Sequence, residues 1–221
     1  RGGLASIKGL LDIIKKYIEL LVKCLPLYGW AVLNYDDERV RQMRKDTEAR
    51  VLTFGFAKEA EVAARELKNI REAENKNFGI NFKLAHNGSA VPVLLPDVLS
   101  GTTVMAALAA SAVAIIYGFN LVEISQALKN FKSPPGRLAA IDGIKGTLVI
   151  DDTYNSSPQS SFAALEAMEN VVLKRGARKF AVLGDMLELG SYTEEGHRET
   201  GRAAVRRGID VLATVGERAR D

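Results

Sequence analysis

Two short runs in this 221-residue chain place carboxylates where they could do chemistry: Asp151-Asp152-Thr153-Tyr154-Asn155-Ser156-Ser157-Pro158 and Gly184-Asp185-Met186-Leu187-Glu188-Leu189-Gly190. An ionised carboxylate is costly to bury alone, so adjacent aspartates must be solvated, paired or holding a ligand hydroxyl. Arg137 can come close to Asp151-Asp152, which leaves a structural Asp-Arg pair and a nucleotide site equally open. In the second run glycine permits close backbone approach, although a turn with a solvated aspartate is the plainer explanation. Asn34-Tyr35-Asp36-Asp37 is a third polar cluster, in which Asp37 suits a helix cap. Ser157 and Pro158 likewise suit the cap and first turn of a helix.

His197, in a Glu-Gly-His-Arg-Glu context, reads as part of a charged face and is a poor catalytic base unless something orients it. His86, beside Asn87-Gly88, reads as exposed hairpin. No spacing of His, Cys, Asp and Glu resembles a zinc site, and no Ser-His-Asp arrangement can be argued. The 221 residues contain no Gly-x-x-x-x-Gly-Lys-Ser/Thr loop, which excludes an autonomous P-loop ATPase. No catalytic residue and no metal ligand is assigned.

Ligands of open α/β sheets bind beyond the carboxyl ends of strands, so the surrounding elements decide whether these clusters can act. Apolar spacing predicts a helix over Ile7–Leu25, closed by Pro26. Strand Trp30–Leu33, helix Glu38–Met43 and strand Val51–Phe56 then follow in β-α-β rhythm. Alternation over Phe78–Leu95 around Asn87-Gly88 predicts an antiparallel hairpin. Helices Thr103–Tyr117 and Leu121–Phe131 flank Gly118, which suits a left-handed helix end. Ser133-Pro134-Pro135-Gly136 is the domain boundary, because two prolines forbid helix continuation. Beyond it, strand Thr147–Ile150, helix Pro158–Leu173, strand Lys179–Leu183, helix Thr193–Arg207 and strand Val211–Val215 predict repeated parallel β-α-β units, with strands covered on both faces.

Hydrophobic residues at 47% and charged residues at 26% are ordinary for a globular protein that buries a real core. A net charge of +3, from 30 basic and 27 acidic residues without long runs, gives no electrostatic case for nucleic acid. Cys24 is the one cysteine, so no internal disulfide is possible, and it reads as a small hydrophobe in a reducing cytosol. No signal peptide is legible at the start. The Ala-rich stretch Thr103–Tyr117 is too short to span a bilayer. A cytoplasmic protein without membrane insertion is expected.

Taken in order and spacing, Ala31-Val32-Leu33-Asn34-Tyr35-Asp36-Asp37-Glu38-Arg39-Val40, then Pro135-Gly136-Arg137-Leu138, then Asp151 to Pro158, then Leu183 to Gly190 with His197 following, resemble the Mur ligases. Within that family the Asp-Asp-Thr-Tyr-Asn and Gly-Asp-Met-x-Glu-Leu-Gly runs resemble the D-alanyl-D-alanine-adding branch. The resemblance covers nearly the whole chain, more tightly after Arg137 than before Pro26. It implies an α/β fold: the C-terminal portion of a Mur-type central ATP-binding domain with an antiparallel hairpin over 1–133, then an incomplete Rossmann-like, parallel-sheet C-terminal ligase domain over 134–221. It also implies a fragment, inactive alone, without the N-terminal domain, the phosphate loop or the last strands.

The implied activity is an ATP-dependent, amide-bond-forming ligase of peptidoglycan precursor synthesis, and so of cell-wall biogenesis, cell shape and division. ATP and Mg2+ are its implied cofactors, UDP-N-acetylmuramoyl-tripeptide and D-alanyl-D-alanine its implied partners, and a monomer its implied state. By resemblance Arg137 contacts the ATP phosphates and Asp152 the ribose, while Tyr154, Asn155 and Ser156 line the nucleotide loop as the C-terminal domain closes. Asn34 and Thr103 complete the implied nucleotide set, and Asp185, Met186 and Glu188 face the incoming dipeptide. The sequence departs from the family at Thr102-Thr103-Val104-Met105-Ala106, which stands where His-Asn-x-x-Asn usually reads adenine; both amides are gone. Lys15 and Lys16 lie near the family's modified lysine, but the register is slipped and neither is assigned. The alternatives are a truncated Mur-fold pseudoenzyme without turnover and a related Mur-fold ligase for another amino acid or for folate.

Overall fold

The structure is a computed structural model that describes residues 16–72, 77–171, 173 and 175–220. It divides into two compact units. The first comprises the chain up to Lys68 with Asn81–Leu94 and Thr102–Lys129; the second comprises Asn69–Ile80, Leu95–Gly101 and the chain from Asn130.

The helix expected over Ile7–Leu25 lies partly outside the described residues; its described part, α1, covers 16–23. Val22 of α1 joins Ala31, Leu33 and Met43 in a buried cluster, which explains the apolar spacing before Pro26. Strands β1 (Trp30–Asn34) and β2 (Arg50–Gly55) pair in parallel around α2 (Glu38–Gln42), matching the expected β-α-β rhythm. Asp37 caps α2 by accepting the amides of Arg39 at 2.8 Å and Val40 at 3.1 Å. Strands β3 (Val62–Glu72), β4 (Asn77–His86) and β5 (Ser89–Pro96) complete a sheet ordered β1-β2-β3-β4-β5. The turn between β4 and β5 has positive φ at Asn87 and Gly88, as the dipeptide predicts.

β3 has no counterpart in the sequence reading. Its Ala63-Ala64-Arg65-Glu66 and Lys68-Asn69 stretches are poor strand formers, and Glu66 has φ 51° within the strand. Tertiary pairing, which joins β3 to β2 at Phe54↔Val62 and Gly55↔Ala63, overrides that weak propensity.

Helix α3 (Gly101–Ile116) buries Val104, Ala107, Leu108, Ser111 and Ala112, one stripe at helical spacing. It ends at Gly118, φ 89°. α4 (Leu121–Leu128) starts from a capping box in which Asn120 and Glu123 satisfy each other's backbone amides.

In the second unit the expected run of parallel strands needs correction. β7 (Leu148–Asp151) pairs antiparallel with β6 (Ala139–Asp142), across a tight turn with Lys145 at φ 54° and Gly146 at φ 74°. Among the described residues there, only β8 (Phe180–Gly184) and β9 (Val211–Val215) pair in parallel, and the two pairs are separate sheets. β6 escaped notice because Ala139-Ala140-Ile141-Asp142 carries almost no strand propensity. Nor are the strands covered on both faces, since every residue of β9 is exposed. α5 (Pro158–Glu169) stops four residues short of Leu173, at Asn170, which closes back on Glu166 and Met168. Ser157 and Pro158 start α5 as their types predict, with the Ser157 hydroxyl accepting the Ser160 amide. α6 (Thr193–Arg206) packs Ala203 and Ala204 against Leu165 and Ala181.

Candidate functional site

The loop before β6 and the loop after β7 are stitched together by their backbones. The Tyr154 amide donates to the Gly136 carbonyl at 3.1 Å. The Gly136 amide donates to Asp151 Oδ2 at 3.1 Å, and the Leu138 amide to Asp152 Oδ1 at 3.2 Å. Gly136 has φ 72°, and a Cβ there would sit 2.8 Å from the Tyr154 nitrogen, so glycine is required twice over. Leu138, buried, is held at φ 52°, a strained value for a branched side chain. Between these two residues Arg137 is exposed, with its guanidinium 4.1 Å from the centroid of the Tyr154 ring. The sequence left an Asp-Arg pair or a nucleotide site open. The carboxylates instead hold the amides on either side of Arg137, and its charge reaches Asp152 through space.

The two aspartates differ in electrostatics. The Thr153 hydroxyl, donating at 2.7 Å, holds the Asp151 carboxyl below its ordinary value, and the Thr153 and Gly136 amides add to this against some desolvation. Burial pushes Asp152 the other way, above the usual carboxylate range, with the Asp151 charge adding to the rise and the Leu138 amide and Arg137 guanidinium opposing it. Farther along, Asn155 Oδ1 accepts the Ser156 amide at 2.9 Å, and the Ser156 and Ser161 hydroxyls lie 3.3 Å apart. Arg137, Asp152, Tyr154, Asn155 and Ser156 therefore share one loop pair. Asp151, visible in the sequence only as half of the Asp-Asp doublet, and Leu138, which sequence reasoning gave no role, hold it.

The Gly184–Gly190 loop is also tied down from within. Asp185 Oδ1 accepts the Ala219 amide at 2.8 Å, and its carboxylate fills the space where a Cβ on Gly216 would lie. Met186 is 2% exposed and its amide donates to His197 Nε2 at 2.9 Å. The Met186 side chain is buried within this loop. Asp185 serves the backbone with one oxygen, and Glu188, exposed at φ 62°, is the acidic residue that the loop presents outward. His197 is not part of a charged face: it is 7% exposed and bonded on both nitrogens, a role that helix spacing alone could not reveal. Met186 and His197 line a cleft of about 440 Å³ together with Thr200, Leu212, Thr214 and Arg220.

In the first unit Asn34 Oδ1 accepts the Asp36 amide at 3.0 Å, and Asp36 in turn accepts the amides of Phe56 at 2.6 Å and Ala57 at 2.8 Å. This clasp ties the ends of β1 and β2, and Gly55 leaves room for it. Thr103 is half-buried in the first turn of α3 and Ala106 is exposed. His86 Nδ1 lies 3.0 Å from the Glu61 carbonyl, so it is a bonded hairpin residue. Lys15 lies outside the described residues, and Lys16 is exposed. No group of three His, Cys, Asp or Glu side chains suited to a metal occurs among the described residues. No described helix is long and apolar enough to cross a membrane.

The family description "Mur ligase, glutamate ligase domain" matches residues 136–221. UDP-N-acetylmuramoyl-tripeptide--D-alanyl-D-alanine ligase of Escherichia coli is 37% identical over 144 residues, 65% of this chain and 30% of that protein. The ligase of the same name from Mycobacterium tuberculosis is 34% identical over 201 residues, 89% of this chain and 38% of that protein. Residues 136–221 thus carry a Mur ligase domain, and most of the chain is similar to ligases of that family. A solved MurF structure from Acinetobacter baumannii superposes with a TM-score of 0.78 at 27% identity, covering 95% of this chain and 43% of the other. The chain thus spans about a third of the length of the curated relatives it matches. The family match begins at Gly136, inside the stitched loop, so the Asp151 and Asp152 contacts all fall within the matched region.

Proposed function

We propose that these 221 residues carry part of an ATP-dependent ligase that joins D-alanyl-D-alanine to UDP-N-acetylmuramoyl-tripeptide. The observation that carries this reading is the presentation of Arg137: exposed, stacked on Tyr154, flanked by two positive-φ residues whose amides are clamped by Asp151 and Asp152. A guanidinium held in this way keeps its forked N–H edges available for phosphate oxygens. Nothing among the described residues hydrogen-bonds those edges.

Asp152 fits a sugar hydroxyl, because its Oδ2 is not used by the Leu138 amide and burial favours a hydrogen-bonded partner. Tyr154, Asn155 and Ser156 lie along the same loop and line the nucleotide in this reading. Asn34 and Thr103 belong to the same proposed nucleotide set, though the Asn34 carbonyl oxygen already serves Asp36. Asp185, Met186 and Glu188 face the dipeptide in this reading, and a carboxylate would attract its amine. Bound ATP with magnesium supplies the phosphoryl group that turns the tripeptide carboxylate into an acyl phosphate, which the dipeptide amine displaces as phosphate leaves. This chain's part is to bind and orient; the β- and γ-phosphates need a phosphate loop that the 221 residues do not contain. No magnesium ligand and no catalytic base is assigned within it. The proposed division falls at 133/134, with a cytoplasmic monomer as the working form.

The test is phosphate release from ATP by the chain carried on a longer form that supplies a phosphate loop. Release that requires both UDP-N-acetylmuramoyl-tripeptide and D-alanyl-D-alanine is the expected result. A folded long form that binds neither substrate and releases no phosphate overturns the proposal. One observation favours a second reading, a pseudoenzyme: Thr103 and Ala106 replace the amides with which the family reads adenine.

A further inference from the structure

We infer that His197 is a positioning residue for the Gly184–Gly190 loop, and that it works as a neutral imidazole carrying its proton on Nδ1. Its two nitrogens face two backbone groups with fixed roles. Nδ1 lies 2.7 Å from the Thr193 carbonyl, which can only accept, so Nδ1 must carry the hydrogen. Nε2 lies 2.9 Å from the Met186 amide, which can only donate, so Nε2 must offer its lone pair. Neither partner can exchange its role by rotation, so the tautomer is dictated by geometry.

The pair is largely buried, the ring 7% and Met186 2% exposed, so an amide released from Nε2 loses a partner at a site with little access to solvent. His197 sits on α6 one turn after Thr193, whose own hydroxyl donates back to the Gly190 carbonyl at 2.8 Å. The loop is therefore gripped at Met186 by the ring and at Gly190 by the residue to which the ring is anchored. Asp185 adds a tie of its own, to the Ala219 amide. Between the grips stand Leu187, exposed, and Glu188, held at φ 62° and exposed. The imidazole is thus one of the ties that hold the loop from which Glu188 projects. The consequence for dipeptide selection rests on the ligase reading above; the positioning itself does not.

The experiment uses the 221-residue chain. Imidazole 15N chemical shifts should show a protonated Nδ1 and an unprotonated Nε2 at His197, and a protonated Nε2 at neutral pH overturns the inference. Two variants divide the bonds: His197→Asn keeps a donor for the Thr193 carbonyl and loses the acceptor for Met186, while His197→Gln keeps an acceptor near Met186 and loses the donor. Hydrogen exchange at the Met186 amide should quicken by about tenfold or more in His197→Asn, with the Leu183 and Ala203 amides unchanged, and return to within about threefold in His197→Gln. Equal quickening at Leu183 and Ala203, or no rescue by glutamine, would mean that the ring is only packed and would overturn the role. If His197→Asn fails to fold, the 15N signature of the unaltered chain decides. Neither readout involves turnover, so failure of the ligase reading and failure of this inference are separately visible.

Discussion

Gly136 and Tyr154 meet backbone to backbone, with the Tyr154 amide donating to the Gly136 carbonyl at 3.1 Å and no space between them for a β-carbon. Gly136→Ala adds that carbon and forces a φ of 72° on a residue that resists it. The expected cost is about 1–3 kcal/mol, read as a lower midpoint in urea or thermal unfolding. An unchanged midpoint would show that the loop relaxes away from the Tyr154 amide.

Asp151 and Asp152 should have opposite pH signatures. Asp152 is raised in the folded state, so its contribution is fully present below the unfolded carboxyl value of about 3.9 and is lost as pH rises through the folded value. At pH 7 the charged form is therefore a burden, and Asp152→Asn should raise the melting temperature there, with the advantage gone by about pH 3. Asp151 is lowered, so its contribution is present above the unfolded value and is lost as pH falls through the folded one. Asp151→Asn should lower the melting temperature at pH 7 and approach the unaltered protein in acid. Melting curves of both variants from acid to neutral pH check the two signs.

Arg137→Lys keeps the charge but loses the planar stack on Tyr154 and the forked donors. In the long form that carries a phosphate loop, ligase turnover should fall by about 10²-fold. Tyr154→Phe, which retains the stack, should leave most of it. Stability should move by less than about 1 kcal/mol in either, because the stack is exposed.

Thr103→Asn with Ala106→Asn returns two amides to the first turns of α3. If this chain serves an active ligase, the pair should tighten ATP binding by about tenfold, the effect of roughly one added hydrogen bond, seen as a lower KM for ATP. No change in KM would show that adenine is read elsewhere.

Ser157→Ala removes the hydroxyl that accepts the Ser160 amide at the start of α5. A loss of about 1 kcal/mol is expected from thermal or urea unfolding.

The elements that lead into the site were legible because their signals are local. Ser157-Pro158 announces a helix start, Asn87-Gly88 a hairpin, Gly118 a helix end, and the short apolar runs of β1, β7, β8 and β9 fall where expected. What was not legible depends on partners distant in sequence. β3 and β6 are strands by pairing rather than by propensity, and β6 turned an expected parallel unit into an antiparallel pair. The Asp-Asp doublet was visible, but not that its oxygens would reach back 14 and 15 residues to the Leu138 and Gly136 amides. His197 looked like a surface residue because its neighbours are charged, whereas its burial is set by the Gly184–Gly190 loop folding over it.

The clamp formed by Asp151 and Asp152 also has a kinematic meaning. With both flanking amides of Arg137 bonded to carboxylates at the end of β7, the arginine cannot travel apart from the Asp151–Tyr154 segment. The Arg137 amide is itself bonded to the Pro134 carbonyl, so the turn before β6 is fastened on both sides of the arginine. Whatever displaces this loop pair displaces cation, ring and carboxylate together.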